Sequence, residues 1–438
     1  MHAIEELAEF AANHPEGSLP DSAIESCSLL LTDLIGAVAA GFNSKLAIAA
    51  RATAHDIYGP GPVNIWLTGS QLSIAGAAMA NSSAACALDI DDGHRGAAGH
   101  PGAGIIPAVL AIAQALGSSD EQVFEAIAIG YDVGLRIATA RPIATIETFF
   151  SCRWVNYGVA AAAGRLLKLS PPQIANAMAI AGAEGPIVYR KGTSLYQGSS
   201  VKEAIPAAVV AGLTGAFRAR AGATGPIDLL DREEFFMRST LTADLGKHWW
   251  MEDCYLKPYA CCRYMHAAID AIEEMRQPET PIVSLRVETF QRGTELTNKR
   301  TPDTLEDAQY SYYFCCALTA IHGAEALQPI DPVKLRDPKV LKLANQIELT
   351  AHADFADTFP KNTPCRVILD QGQGPKTRTV EFPLGDVANP MSRDQVIAKF
   401  QRIALESVDP AWQQNLLSAL DKLKSGGFTP LFTALHCR

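Results

Sequence analysis

The sequence predicts a mainly α protein with a second α+β domain, a large all-helical domain joined to a smaller α+β lid. Ala- and Gly-rich segments of helical period fill the first half of the chain. Alternating, β-branched segments appear only after about residue 255, and helical periodicity returns near the C-terminus. The large domain is therefore expected over residues 1–255 with 401–438, and the lid over 256–400.

The first helices are expected over Ile24–Ala40, Ser73–Leu88, Ile106–Leu116, Glu121–Ala138, Gly158–Leu167 and Ala204–Ala219. Small residues recur in them at three- and four-residue spacing, which lets helices approach closely. Gly117-Ser118 and Gly225-Pro226 are stop signals, whereas Ser170-Pro171-Pro172 followed by Gln173 opens a helix. Ile282–Phe290 alternates and reads as a strand, followed by strand candidates Gln346–Ala351 and Cys365–Leu369. Arg378–Phe382 is expected to pair with the last of these across the loop at 371–375. Helices resume over Ser392–Ile403 and Pro410–Lys424, the last returning to the first domain.

With 438 residues, 48% of them hydrophobic, the chain can bury a sizeable core, which excludes general disorder. The 37 basic and 47 acidic residues give a net charge of −10 without a Lys/Arg stripe, which argues against a nucleic-acid partner. An anionic substrate would need local positive charge set against that field. The N-terminus lacks a signal peptide's basic and apolar regions. The apolar stretches around Ile105–Leu116 and Ala204–Leu213 are too short for a membrane span. A cytoplasmic protein with no membrane partner is expected. Cys86, Cys315 and Cys316 sit in apolar runs, as buried thiols do in a reducing compartment.

Chemistry concentrates in three segments. Residues 88–103 place Asp89, Asp91, Asp92, His94, Arg95 and His100 in a glycine-rich loop between two apolar helices. Glycines there allow positive φ and close backbone approach, and histidine supplies a base titrating near pH 7. The blander role for the aspartates is to cap the helix that follows Pro101. Asp91, Asp92, His94 and His100 are possible metal ligands by type, but no metal-binding spacing supports them, so no metal is expected. In the second segment, Lys257, Arg263 and His266 fall within ten residues, the last two sharing a face at a helix start. The alternative is a basic surface face. In the third, Lys202 precedes an apolar helix, where desolvation would lower its pKa toward that of a useful base. A snorkelling surface lysine is the alternative there.

Together these segments resemble the MmgE/PrpD family, which includes 2-methylcitrate dehydratase, cis-aconitate decarboxylase and iminodisuccinate epimerase. The resemblance is carried by Asp89, Asp91, Asp92, His94 and His100-Pro-Gly-Ala, by Lys202, and by Lys257 through Ala271. Ala308–Ser311 and Gly130–Arg136 also fit, so the likeness spans most of the chain. It implies a helical domain, an α+β lid, a cleft between them, no cofactor and a homodimer. Three positions depart from the dehydratase and decarboxylase members. Gly93 stands where a threonine is usual, Phe149–Tyr157 lacks the histidine that precedes the next helix, and Phe314 replaces a tyrosine.

The family's shared chemistry is removal of a proton next to a carboxylate, so cations must stabilise the enediolate. His100 is the expected proton carrier, with an ordinary pKa near 6.5, oriented by Asp89 or Asp91. Lys202 belongs to the same catalytic set. Substrate contacts are expected from His94, Arg95, Tyr157, Lys257, Arg263 and His266. Because elimination machinery is altered, the leading expectation is an epimerase of a small di- or tricarboxylate, resembling iminodisuccinate epimerase. A dehydratase or decarboxylase is the alternative, and an inactive binding protein on the same fold the second.

Overall fold

Helix packing in the larger part of the molecule is set by how little side chain lies between the axes. The computed structural model describes residues 1–143, 146, 148–186 and 198–436. The helices of this part are α1 (Ala3–Asn13), α2 (Asp21–Gly41), α3 (Lys45–Ile57), α4 (Ile74–Cys86) and α5 (Gly102–Leu116), then α6 (Asp120–Thr139), α7 (Val155–Leu166), α8 (Pro171–Glu184) and α9 (Ile205–Arg220). α7 runs through the middle and touches α5, α6, α8 and α9. Where it meets α6, a Cβ on Gly158 would lie 2.4 Å from the Gly130 carbonyl oxygen, so even alanine would push the helices apart.

Two of the sequence signals for helix ends hold, whereas α9 ends at Arg220, five residues before Gly225-Pro226. α8 begins at Pro171, and the Gln173 side chain accepts the Ser170 amide proton at 3.0 Å. α5 stops at Gly117, which turns left-handed at φ +63°. The long apolar helix is α2, not the stretches at 105–116 or 204–213. It is long and apolar enough to cross a membrane, yet 72% of its apolar window is buried inside the protein.

The larger part is not purely helical. β1 (Val63–Ile65) pairs antiparallel with β2 (Ser70–Leu72), and β3 (Gly93–His94) with β4 (Cys254–Tyr255). Strands of two or three residues are too short to show alternation in a sequence.

The C-terminal region carries a small mixed sheet with a core of its own. β5 (Ser284–Thr289), β6 (Glu348–Ala351), β7 (Cys365–Asp370) and β8 (Pro375–Val380) lie in the order β6-β5-β7-β8. β5 runs parallel to β6 and antiparallel to β7, which is antiparallel to β8. Cys365, Val367 and Leu369 point from β7 into the core under helices His266–Met275 and Tyr312–His322. β8 begins earlier than the alternation suggests, because the Asp370–Pro375 pair already closes the hairpin, and Phe382 lies beyond the ladder. Cys86, Cys315 and Cys316 are buried free thiols.

Helix Arg393–Ile403 leaves the sheet and packs on α2. Val396 and Phe400 join the larger core, so the expected boundary at residue 400 falls inside this helix. Its Lys399 Nζ donates to Asp33 Oδ1 of α2 at 2.6 Å and to the Ile90 carbonyl at 2.8 Å, and both side chains are buried. Breaking a buried pair strands the remaining charge. Lys399→Met is therefore expected to lower unfolding free energy by about 3 kcal/mol, read as a fall in the urea midpoint at unchanged slope. An unchanged midpoint would show that Asp33 does not depend on Lys399.

Candidate active site

α4 ends at Cys86, and three residues later Asp89 turns left-handed at φ +55°, a conformation that its short polar side chain tolerates. This turn drives the Asp89 carboxylate inward, leaving it 3% exposed. Three cations meet it there. Lys257 Nζ lies 3.1 Å from Oδ2, Lys202 Nζ 3.6 Å from Oδ1, and His100 Nε2 3.5 Å from Oδ1. The other imidazole nitrogen of His100 sits 3.3 Å from Asp91 Oδ2 and 3.0 Å from the Asp92 carbonyl. A carbonyl only accepts, so Nδ1 carries a proton.

The two cores meet at this cluster. Asp89, Asp91 and His100 come from the loop between α4 and α5, Lys202 from the turn before α9, and Lys257 from the segment after β4. From the C-terminal region, Gln309 Oε1 accepts a hydrogen bond from Lys202 Nζ at 2.7 Å, and the Tyr310 ring lies 5.1 Å from the same nitrogen.

Burial works against the charges on Asp89, Lys257 and His100, and the neighbours reverse it. At Asp89, burial is outweighed by Lys257, Lys202 and His100, which hold the carboxyl well below its usual range. At Lys257, burial is outweighed by Asp89 and Asp91, and the ammonium is held more firmly than usual. At His100, burial is overcome by Asp91, then Asp89, and the imidazole is pushed up to about 9 against the repulsion of Lys257. Asp92 differs. Burial, then Asp91 and Asp33, raise it to about 7. Its oxygens accept from the Gly102 amide at 3.1 Å and from the Tyr131 hydroxyl at 3.0 Å, so Asp92 does cap the helix after Pro101.

The structure thus brings together Asp89, Asp91, His100, Lys202 and Lys257 and gives the other five candidates different partners. Arg263 donates to the carbonyls of Leu384 (2.9 Å) and Pro383 (3.2 Å) and to Asp386 (3.3 Å). His266 Nδ1 accepts from Arg263 at 3.2 Å and its Nε2 donates to the Cys261 carbonyl at 3.1 Å. These two do share a face, but Arg263 spends it holding the 383–386 loop, with His266 bonded to its guanidinium. Arg95 reaches Asp386 and Thr363 Oγ1 (2.8 Å), not the aspartates beside it in sequence. His94 accepts the Ala97 amide proton at 3.2 Å, and burial pulls its imidazole down to about 4. With Arg95, Trp250 and Lys361 it lines a separate cleft of about 470 Å³. Tyr157 packs between α7 and α8, its hydroxyl 2.1 Å from where a Cβ on Gly182 would be.

Gln309 and Tyr310 are the site residues that sequence reasoning missed. The signal was present, since both belong to the Ala308–Ser311 stretch, which carries no charge and so drew no chemical reading. The glycines of the loop serve contact more than conformation. Gly93, Gly96, Gly99 and Gly102 are not left-handed, whereas Asp89 and Ala98 are. Among the described residues, no group of three or more His, Cys, Asp or Glu is arranged to hold a metal ion.

Residues 5–246 match the MmgE/PrpD N-terminal domain, and residues 259–424 match the MmgE/PrpD C-terminal domain. The chain belongs to the MmgE/PrpD family. A cis-aconitate decarboxylase of Aspergillus terreus (strain NIH 2624 / FGSC A1156) is 24% identical over 474 residues, covering 99% of this chain and 95% of that protein. The cis-aconitate decarboxylase-like protein oryM of Aspergillus oryzae (strain ATCC 42149 / RIB 40) is 21% identical over 461 residues, covering 96% and 94%.

The three positions expected to depart from the dehydratase and decarboxylase pattern have physical counterparts. A Cβ at Gly93 would lie 2.4 Å from the Tyr255 hydroxyl, so that phenol fills the space a side chain needs. The segment before α7, which lacks histidine, offers Ser151, whose hydroxyl accepts the His100 amide proton at 2.9 Å. Phe314 is buried in the C-terminal core, and its tyrosine neighbours have other partners there: Tyr312 bonds the Tyr264 carbonyl and Tyr313 lies under Arg300.

Two expected outcomes follow from the electrostatics and the loop clip. The folded pKa of His100, about 9, lies above its unfolded 6.5, so its stabilisation is complete below pH 6.5 and lost as pH rises through 9. An NMR titration of His100 should show the raised midpoint, and denaturation at pH 6.5 and 9.5 should show stability falling; a midpoint near 6.5 would refute the contacts with Asp89 and Asp91. Arg263→Lys is expected to cost about 1–3 kcal/mol, because one ammonium cannot bridge both carbonyls and Asp386. Thermal unfolding checks this, and an unshifted Tm would mean that the 383–386 loop does not need the guanidinium.

Proposed function

We propose that this MmgE/PrpD protein is a metal-independent enzyme that transfers a proton to or from carbon next to a carboxylate of a small di- or tricarboxylate. The observation that carries the reading is His100, protonated between Asp89 and Asp91 and beside Lys202 and Lys257. An imidazolium with a value of about 9 is an acid at neutral pH, and acids deliver protons. This favours a lyase of the kind its relatives are named for. In such a reaction the bond from carbon to the departing carboxylate breaks and releases CO2. Its electron pair passes into the adjoining unsaturated acid, and His100 gives its proton to carbon. Lys202 faces the negative charge that builds up on the remaining carboxylate.

A second reading, the epimerase foreseen from the sequence, is favoured by Gly93, whose side-chain space belongs to Tyr255. Removing and returning a proton needs fewer groups than elimination does. It also needs His100 in its neutral form, so the two readings differ in the sign of their pH dependence. With His100 as acid, kcat/KM falls as pH rises through about 9; with His100 as base, it climbs toward that value.

Proton NMR in deuterium oxide, with a panel of polycarboxylates that includes cis-aconitate, separates them. Loss of CO2 with one deuteron placed on carbon, and a loss of about 10²–10⁴ in kcat in His100→Gln, is the expected result. Exchange and inversion at a stereocentre without CO2 would establish the epimerase. Neither exchange nor turnover with any of the panel would leave a binding protein.

A further inference from the structure

Lys202, Glu203 and Ala204 are three consecutive non-glycine residues with φ of +44°, +56° and +54°. L side chains avoid that region, so such a run persists only where the surroundings impose it. What imposes it is the grip of Glu203 on Ser151. Glu203 Oε2 accepts the Ser151 amide proton at 2.9 Å and the Ser151 hydroxyl proton at 2.6 Å. With its proton given to Glu203, the same hydroxyl accepts the His100 amide proton at 2.9 Å. Its approach to the His100 loop is close: a Cβ on Gly99 would lie 2.5 Å from Ser151 Oγ, which only glycine permits.

We propose that Glu203 and Ser151 are positioning residues, a carboxylate–hydroxyl clip that ties the Lys202 turn to the His100 loop and sets both working groups against Asp89. Neither residue is assigned to donate or take the reacting proton. The clip acts through the His100 backbone amide, whereas the imidazole makes the contacts with Asp89 and Asp91. Lys202 and His100 stand 3.6 and 3.5 Å from Asp89, at the outer edge of ion-pair contact, so little slack remains. Without the Glu203 carboxylate the turn relaxes toward negative φ and carries the Lys202 side chain with it.

The proposal rests on the proposed function wherever turnover is the readout, so the test includes a measurement that does not. Glu203 is partly exposed, which makes Glu203→Ala a variant that keeps the fold even where Ser151→Ala does not. In both variants the NMR titration midpoint of His100 should drop from about 9 by at least about half a unit, as the imidazole drifts from its carboxylates. Ser151→Thr, which keeps the hydroxyl, should restore it. With whichever polycarboxylate the wild type turns over, kcat/KM of Glu203→Ala should fall about tenfold to a hundredfold, the scale of a small misplacement. Folded Glu203→Ala with an unmoved His100 midpoint and kcat/KM within about twofold of wild type would overturn the clip. Absence of turnover in the wild type would refute the proposed function alone, because the titration still decides whether the clip positions His100.

Discussion

A carboxylate taken out of water must be paired, and Asp89 is the carboxylate around which this molecule is arranged. Its left-handed backbone aims it inward, and Lys257, Lys202 and His100 converge on it from three separate parts of the chain. Removing any one of them would leave charge stranded in a dry site. The contacts behind the cluster follow from the same constraint. Lys399 binds the Ile90 carbonyl, one residue from Asp89, and couples the returning C-terminal helix to the acidic loop through Asp33. Gln309 reaches in from the smaller core to hold Lys202. The junction between the two cores is thus electrostatic at its centre, although both cores are apolar.

Acids placed this close to one another must divide their protons. Asp89 keeps its charge because cations surround it, whereas Asp92, facing Asp91 and Asp33, is pushed up to about 7. Asp92 can accept this because its bonds from Gly102 and Tyr131 are structural: it closes the first turn of α5. Neighbouring aspartates in one loop therefore serve different ends, one organising the cations and one anchoring the helix that follows.

Much of this was legible in the sequence, and the pattern of what was not is physical. The helices showed because their small residues repeat at helical spacing over many turns, and the sheet because β5 and β7 alternate. Strand pairs of two or three residues leave no such trace. Asp89, Asp91, His100, Lys202 and Lys257 stood out because ionisable groups flanked by apolar helices are costly unless they are used. Arg263 and His266 stood out for the same reason, yet Arg263 binds the backbone carbonyls of a loop some 120 residues away and His266 the Cys261 carbonyl, and composition carries no sign of either. Gln309 escaped notice because a neutral amide gains its significance only from the ammonium it faces. Glu203 escaped because its role depends on a left-handed turn that nothing in Val-Lys-Glu-Ala announces.

The charge count at the cluster joins binding to chemistry. With formal charges on Lys202, Lys257, His100, Asp89 and Asp91, one positive charge is in excess, within a chain whose net charge is −10. Lys257 is fully buried at 3.1 Å from Asp89, which makes it a counter-ion of that carboxylate. His100 is the more open cation, its side chain 11% exposed against 4% for Lys202. The excess charge therefore exists only while His100 holds its proton. In the reading proposed above, that proton first helps to attract the anionic substrate and is then the one delivered to carbon. Affinity for a polyanion and acid strength are consequently two effects of a single protonation, and the aspartates that hold it near 9 set the upper pH limit of both.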